Sequence, residues 1–357
     1  MVIASIIIQG HNAMAHFDEC LRSIFDQDRG DLEVIWVDSA STDGSPEAIA
    51  ARFPQTKILA LSDNAGYRRA TNVGARQAQG KYLVICNQDT RMDRTWLSAM
   101  IRCVEADPSI GIVAPKILLA DRPQTINEAG NTLHYSGLYG SRGLGAPSTD
   151  YDVPEILATM SGCCFLIRKD LWDELGGFSE DFDQFDSGWH ASYEDADLAW
   201  RAQLLGYTVL YCCSATMYHK YERRGVPPAR FCSFDWGWHI VAIRNYRALT
   251  LFLLLPMLAG LDLATWLYAM VRGPAWLAAK CRVAGWLLTH VADWRQMRQR
   301  VQSMRRIGDL PIVRRMSPVL SQGGSGWMKR IAGSLSAFYF RFLLCALRWI
   351  EVDDSNA

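Results

Sequence analysis

The chain has 357 residues, 50% of them hydrophobic and 21% charged, enough to bury one large core or two modest ones. Its 37 basic and 37 acidic side chains leave a formal net charge of +0, which excludes the basic footprint of a nucleic-acid-binding protein. The 10 cysteines include the adjacent pairs Cys163–Cys164 and Cys212–Cys213 but no C-x-x-C, so reduced, buried thiols of a cytosolic protein are expected.

Val2–Ile8 is an apolar β-forming run closed by polar Gln9, His11 and Asn12. No basic segment precedes it, so no secretory leader is expected. Phe17–Phe25 has amphipathic helical spacing. Leu32–Val37 is a second strand running into Asp38, Ser41, Thr42, Asp43 and Gly44, a loop that presents carboxylates and backbone N–H groups. Helical character resumes over Ser45–Arg52. Thr56–Leu61 predicts a third strand, Arg69–Ala78 a helix, and Tyr82–Cys86 a fourth, buried strand that stops abruptly at Asn87, Gln88 and Asp89. Strands alternating with helices at this spacing imply an α/β fold with a mostly parallel central sheet and helices on both faces. Ligands of such sheets sit beyond the carboxyl ends of the strands, where Asp89 is placed to hold a divalent cation. Neither G-x-G-x-x-G after the first strand nor G-x-x-x-x-G-K-[ST] occurs, which argues against dinucleotide oxidoreductases and P-loop enzymes.

Ser5–Asn12, Asp38 with Ser41-x-Asp43-Gly44-Ser45, Asn64-x-Gly66, Asn72-x-Gly74 and Asn87-Gln88-Asp89 stand in the order of the family 2 glycosyltransferases of the GT-A fold. The series resembles their rhamnosyltransferase-like branch. That resemblance implies a nucleotide-diphospho-sugar transferase fold, with Asp38 on the nucleoside base and Asp89 on a divalent metal, Mg2+ or Mn2+. Asn12, Ser41, Asp43, Asn64, Gly66, Asn72, Asn87 and Gln88 would line the donor site. The first strand ends in Gln-Gly-His-Asn where the family usually has Pro-Thr-x-Asn. With Asn87 and Gln88 at the preceding positions, Asp89 is the motif's one carboxylate, and diphosphate and water would complete the metal shell.

Trp96–Ala106 reads as a helix, Ile110–Lys116 as a strand, Gly130–Asp150 as a long functional or surface loop, Thr159–Ile167 as a strand and Arg168–Leu175 as a short helix. Gly177 and Phe178 follow, then Tyr193-Glu194-Asp195-Ala196-Asp197-Leu198-Ala199-Trp200-Arg201. Carboxylates opening a helix favour its dipole and can cap it. The segment also matches the family's acceptor motif, which implies Asp195, with Glu194, as the catalytic pair and Gly177, Phe178, Trp200 and Arg201 at the acceptor. His190 lies in the long connection Phe182–Ser192 between the two motifs. Thr208–Tyr211 is the last strand, and His219 beyond it can reach the metal or pack on the surface.

The expected division is a catalytic domain over 1–245, with a nucleotide half (1–92) and an acceptor half (93–245), then a helical region over 246–357. Leu249–Val271 is long enough to span a bilayer but contains Pro256 and Asp262. Together with Ala275–Ala292 and Leu335–Ile350 it reads as interfacial or re-entrant helices on the inner leaflet of a bacterial membrane, with packing on the catalytic domain or at a homodimer contact as the alternative. The basic cluster Arg295–Arg306 suits anionic lipid or a lipid-linked diphosphate acceptor. The reading is an inverting, metal-assisted transfer from a nucleotide sugar, possibly dTDP-rhamnose in type, to a lipid-linked or cell-surface glycan. A catalytically degenerate scaffold at the membrane is the alternative.

Overall fold

The computed structural model describes residues 2–185, 193–222, 225–319 and 327–353. By contacts the chain forms two units that interleave in sequence: 1–131, 141–180 and 207–223 make the first, and 132–140, 181–206 and 224–357 the second. The expected boundary at residue 245 falls inside the second unit, where the helices Glu194–Leu204 and Pro228–Asn245 pack with those that follow.

The first unit is built on a sheet whose strands are β1 (Ala4–Gly10), β2 (Leu32–Ser39), β3 (Lys57–Leu61), β4 (Tyr82–Asn87), β5 (Thr90–Met92), β6 (Ile110–Leu119) and β7 (Arg122–Glu128). Two short strands, β8 (Asn131–Leu133) and β9 (Tyr139–Ser141), pair with each other, and β10 (Glu155–Leu157), β11 (Cys164–Arg168) and β12 (Thr208–His219) complete the large sheet. Its order is β10-β12-β6-β11-β4-β1-β2-β3, with β5 paired to β12 and β7 to β6. Helices α1 (Phe17–Phe25), α2 (Ser45–Arg52), α3 (Gly66–Arg76), α4 (Trp96–Ala106) and α5 (Lys169–Leu175) flank it.

Every residue of β1 and β6 is buried, the signature of strands covered on both faces. Glycines set two close approaches. A Cβ on Gly10 would lie 2.3 Å from Trp36 Nε1, and one on Gly74 would lie 2.6 Å from Ile7 Cγ2, so α3 can press on the sheet only through a bare backbone.

The second unit is helical: α6 (Glu194–Leu204), α7 (Pro228–Asn245), α8 (Ala248–Arg272), α9 (Pro274–Thr289), α10 (Val291–Met304), α11 (Leu310–Val313) and α12 (Trp327–Asp353). Lys280 on α9 is 1% exposed and donates to both carboxylate oxygens of Asp235 on α7, at 2.9 Å each, and to Asp262 on α8 at 2.5 Å. One ammonium thus ties three helices. Asp235, His239 and Asp262 are spaced like a metal site, but Lys280 already supplies the positive charge there.

The stretch expected as a loop over Gly130–Asp150 holds β8, β9 and a 3-10 turn at Ser148–Tyr151. The last strand, read as Thr208–Tyr211, continues to His219 past a register irregularity between Cys212 and Thr216. All 10 cysteines are free thiols.

Candidate active site

β1 pairs in parallel with β2 and β4, and β2 with β3, so these strands end on one edge of the sheet. The register sets Gly10 opposite Asp38 and Gln9 opposite Asn87. Side chains following the strands, spread over the sequence, therefore meet at this edge: Asn12, Asp38, Asp43, Asn64, Gln88 and Asp89.

Their hydrogen bonds divide them by role. Asp38 is 3% exposed and accepts from Ser41 Oγ at 2.5 Å and from the Ser41 N–H at 3.0 Å, so its carboxylate shapes the 40–44 loop. Asn12 closes the same loop: its N–H donates to Ser41 Oγ at 2.9 Å and its Oδ1 accepts from the Thr42 N–H at 2.9 Å. Asn12 and Ala40 adopt left-handed backbone at φ 50° and 53°, strain of the kind that collects at functional loops. Asp43 accepts from the N–H groups of Met14 and Ser45 and from Ser45 Oγ. Burial raises its pKa, and those donors more than offset it, leaving the carboxyl below its ordinary value.

Gln88 clips the ends of β1 and β4 together, accepting from the His11 N–H at 3.0 Å and donating to the His11 carbonyl at 3.2 Å. The sequence reading passed over His11 itself. Its Nδ1 meets the Ser39 carbonyl at 2.8 Å, which fixes the proton there and leaves Nε2 to accept from Asn64 Nδ2 at 3.5 Å. Asn64 also accepts from the Gly66 N–H at 3.3 Å, at the start of α3. The Asn87 carbonyl accepts from Thr90 Oγ1 at 2.7 Å.

Asp89 differs from the rest. Its Oδ1 is buried with no hydrogen-bond partner among the described residues, and its Oδ2 stands 3.5 Å from His219 Nε2. The β5–β12 ladder pairs Thr90 with His219, and the Lys220 N–H donates to the Asp89 carbonyl at 3.0 Å, so the two side chains are held together by backbone. Burial raises the Asp89 pKa and the His219 imidazole lowers it further, leaving it below the usual range. Burial lowers that of His219 and Asp89 raises it by more, leaving it above the usual value. Unused carboxylate lone pairs beside an imidazole nitrogen are a donor set that fits a divalent cation.

Other residues named for the site are engaged within the protein. Asn72 holds the Gly177–Phe178 turn, with Nδ2 2.9 Å from the Phe178 carbonyl and Oδ1 3.0 Å from its N–H. Gly177 is glycine because its φ is +73° and a Cβ would sit 2.6 Å from Asn72 Oδ1. Phe178 is packed among Tyr67, Phe165 and Trp172.

In the second unit, Trp200 is fully buried against Tyr246, and Arg201 pairs with Asp197 at 2.7 Å. Asp197 also takes Arg244 of α7 at 3.0 Å. Glu194 and Asp195 open α6, directly after Tyr193. Tyr193 adopts φ 75° and is buried, its ring against Gly237, where a Cβ would meet it at 2.0 Å. This strained residue sets the direction of the two carboxylates that follow it. His190 lies outside the described residues.

Parallel strands that end together in carboxylates, with no glycine-rich phosphate loop, define the class: a GT-A-type sugar-transferase domain. Residues 5–176 match the model of Glycosyl transferase family 2. That match takes in just under half of the chain, which is a glycosyltransferase resembling the rhamnosyltransferase-like members of that family. It is 24% identical over 239 residues to an N-acetylglucosaminyl-diphospho-decaprenol L-rhamnosyltransferase of Mycobacterium tuberculosis, covering 60% of this chain and 75% of the relative. It is 21% identical over 276 residues to a poly-beta-1,6-N-acetyl-D-glucosamine synthase of Staphylococcus epidermidis, covering 75% and 63%. Among solved structures it resembles GalNAc-T7 with UDP, GalNAc and Mn2+, at TM-score 0.54 and 15% identity over 67% of this chain and 48% of that one. It also resembles S. aureus TarS 1-349 in complex with UDP-GlcNAc, at TM-score 0.50 and 17% identity over 97% and 92%. These likenesses show the fold.

Proposed function

We propose that the enzyme moves a sugar from a nucleoside-diphosphate donor, of the dTDP-rhamnose type, to a hydroxyl of a lipid-linked or cell-surface glycan, with inversion at the anomeric carbon. The observation that carries the reading is the orphaned Asp89 oxygen beside His219, at a strand-end edge whose loops are shaped by Asn12, Asp38 and Asp43. The mycobacterial relative, named for transfer to a sugar on a lipid diphosphate, supports the acceptor class.

Asp89 and His219 would hold a magnesium or manganese ion, which when bound neutralises charge on a departing diphosphate. Asp195 takes the proton of the acceptor hydroxyl as its oxygen attacks the anomeric carbon. The bond from that carbon to the diphosphate oxygen breaks, its electron pair leaves with the nucleoside diphosphate, and one displacement inverts the centre. The 40–44 loop, braced by Asp38 and Asn12, positions the base and so the donor for in-line attack. The apolar helix α8 supports work at the cytoplasmic face of a bacterial inner membrane, as a peripheral protein.

Calorimetry with a panel of nucleoside diphosphates, with and without added metal, tests the donor. The expected result is metal-enhanced binding of one diphosphate and metal-dependent hydrolysis of its sugar. Absence of both leaves the degenerate scaffold. NMR of the transferred anomeric centre tests inversion.

A further inference from the structure

We infer that Asn127 is a positioning residue of this site, setting the His219 ring so that Nε2 is the nitrogen presented to Asp89. This rests on the reading of Asp89 and His219 as metal donors. The β6–β7 register runs Ile117 to Glu128 and then Leu118 to Ile126, so Asn127 is an extra residue, a bulge on β7. Bulges re-aim the side chain they insert. Here the aimed side chain is 1% exposed, and its Oδ1 lies 2.8 Å from His219 Nδ1.

An amide oxygen only accepts, so Nδ1 carries the hydrogen. The opposite nitrogen, Nε2, then stands 3.5 Å from Asp89 Oδ2. Backbone pairing fixes where His219 is, through Thr90 and Lys220, but leaves its ring free to turn over. Asn127 removes that freedom. The neighbouring Glu128 does not serve, because its two oxygens accept from Ser141 and Ser161. Outer partners of this kind govern affinity: losing one weakens metal binding about 10–100-fold.

The test uses the full chain and Mn2+ alone, titrated by electron paramagnetic resonance. Asn127→Ala is expected to weaken Mn2+ binding by about tenfold or more. Asn127→Asp keeps an acceptor oxygen and should stay within about threefold of the parent. In the parent protein with Mg2+ at pH 8, histidine 15N shifts should show His219 protonated at Nδ1. Parent-like Mn2+ binding by Asn127→Ala, or a His219 protonated at Nε2 with Nδ1 bare, overturns the inference. Unchanged binding by Asp89→Asn would instead remove the metal site itself. Should Asn127→Ala not fold, the aspartate variant and the parent spectrum decide.

Discussion

Asp38 and Asp89 stand at the ends of β2 and β4, on either side of β1, yet their oxygens are committed differently. Ser41 occupies both oxygens of Asp38, whereas Asp89 keeps one buried oxygen unpaired among the described residues. In the segment Glu194–Arg201, Asp197 is fully buried between Arg201 and Arg244, and Asp195, in the first turn of α6, accepts from the Ala196 N–H at 2.7 Å. Asp195 is the proposed base, so Asp195→Asn should retain donor affinity in calorimetry while transfer falls about 10²–10⁴-fold; undiminished turnover would place the base elsewhere. Asp197→Ala should instead unfold more easily, by about 3–5 kcal/mol in denaturant titration, because two buried guanidinium groups lose the carboxylate they share, although Arg244 keeps Asp181 at 3.3 Å. Sequence could name both aspartates but not separate them. The partner that makes Asp197 structural, Arg244, lies 47 residues away on another helix. Burial of Trp200 and Arg201 was hidden for the same reason: spacing along a helix does not reveal that α6 is enclosed on every face.

Strands covered on both faces announce themselves as unbroken apolar runs, so β1, β2 and β4 were legible. The continuation of β12 was not, since Cys213 and Ser214 at its irregularity interrupt the pattern. The β7 bulge at Asn127 was equally hidden, because a one-residue register change leaves no compositional mark. Tertiary ties between helices were also invisible, and they carry their own predictions. Lys280→Met leaves Asp235 buried and uncompensated, and should lower stability by about 3–5 kcal/mol; adding Asp235→Leu should recover much of that loss in thermal unfolding. His134 is 2% exposed, between Ser136 Oγ at 2.7 Å and Ser336 Oγ of α12 at 2.9 Å, and burial pulls its pKa down to about 4. The unfolded chain binds a proton near pH 6.5 and the folded one only near 4, so the contribution of a neutral His134 is complete above pH 6.5. It is lost as the pH falls to about 4, amounting to about 3 kcal/mol. Denaturant midpoints across that window should fall less steeply for His134→Gln.

Among the described residues, α8 is the helix long and apolar enough to cross a bilayer, yet its surroundings favour lying in the interface. Asp262, near its middle, is held by His239 at 3.1 Å and Lys280 at 2.5 Å, on the side of α7 and α9. A crossing helix would carry that ionic cluster into hydrocarbon, at a cost of several kcal/mol. Elsewhere on α8, Phe252 is 67% and Val271 87% exposed. α12 packs against it, with Tyr339 donating to the Leu253 carbonyl, and leaves Phe338 74% and Trp349 81% exposed. Exposed Arg272, Arg341 and Arg348 on the same two helices suit anionic headgroups, at about 1 kcal/mol each near the surface. Aromatic side chains and arginines on paired helices are the composition expected of a surface that would dock by partial insertion. The protein should float with vesicles containing anionic lipid, bind neutral vesicles weakly and be released by alkaline carbonate. Phe252→Glu with Phe338→Glu should reduce vesicle binding at least about tenfold, since each buried phenylalanine contributes about 1.5–3 kcal/mol, while metal-dependent donor hydrolysis persists. Resistance to carbonate would show that α8 spans the bilayer after all. Unaltered flotation of the double variant would assign the apolar faces to another occupant.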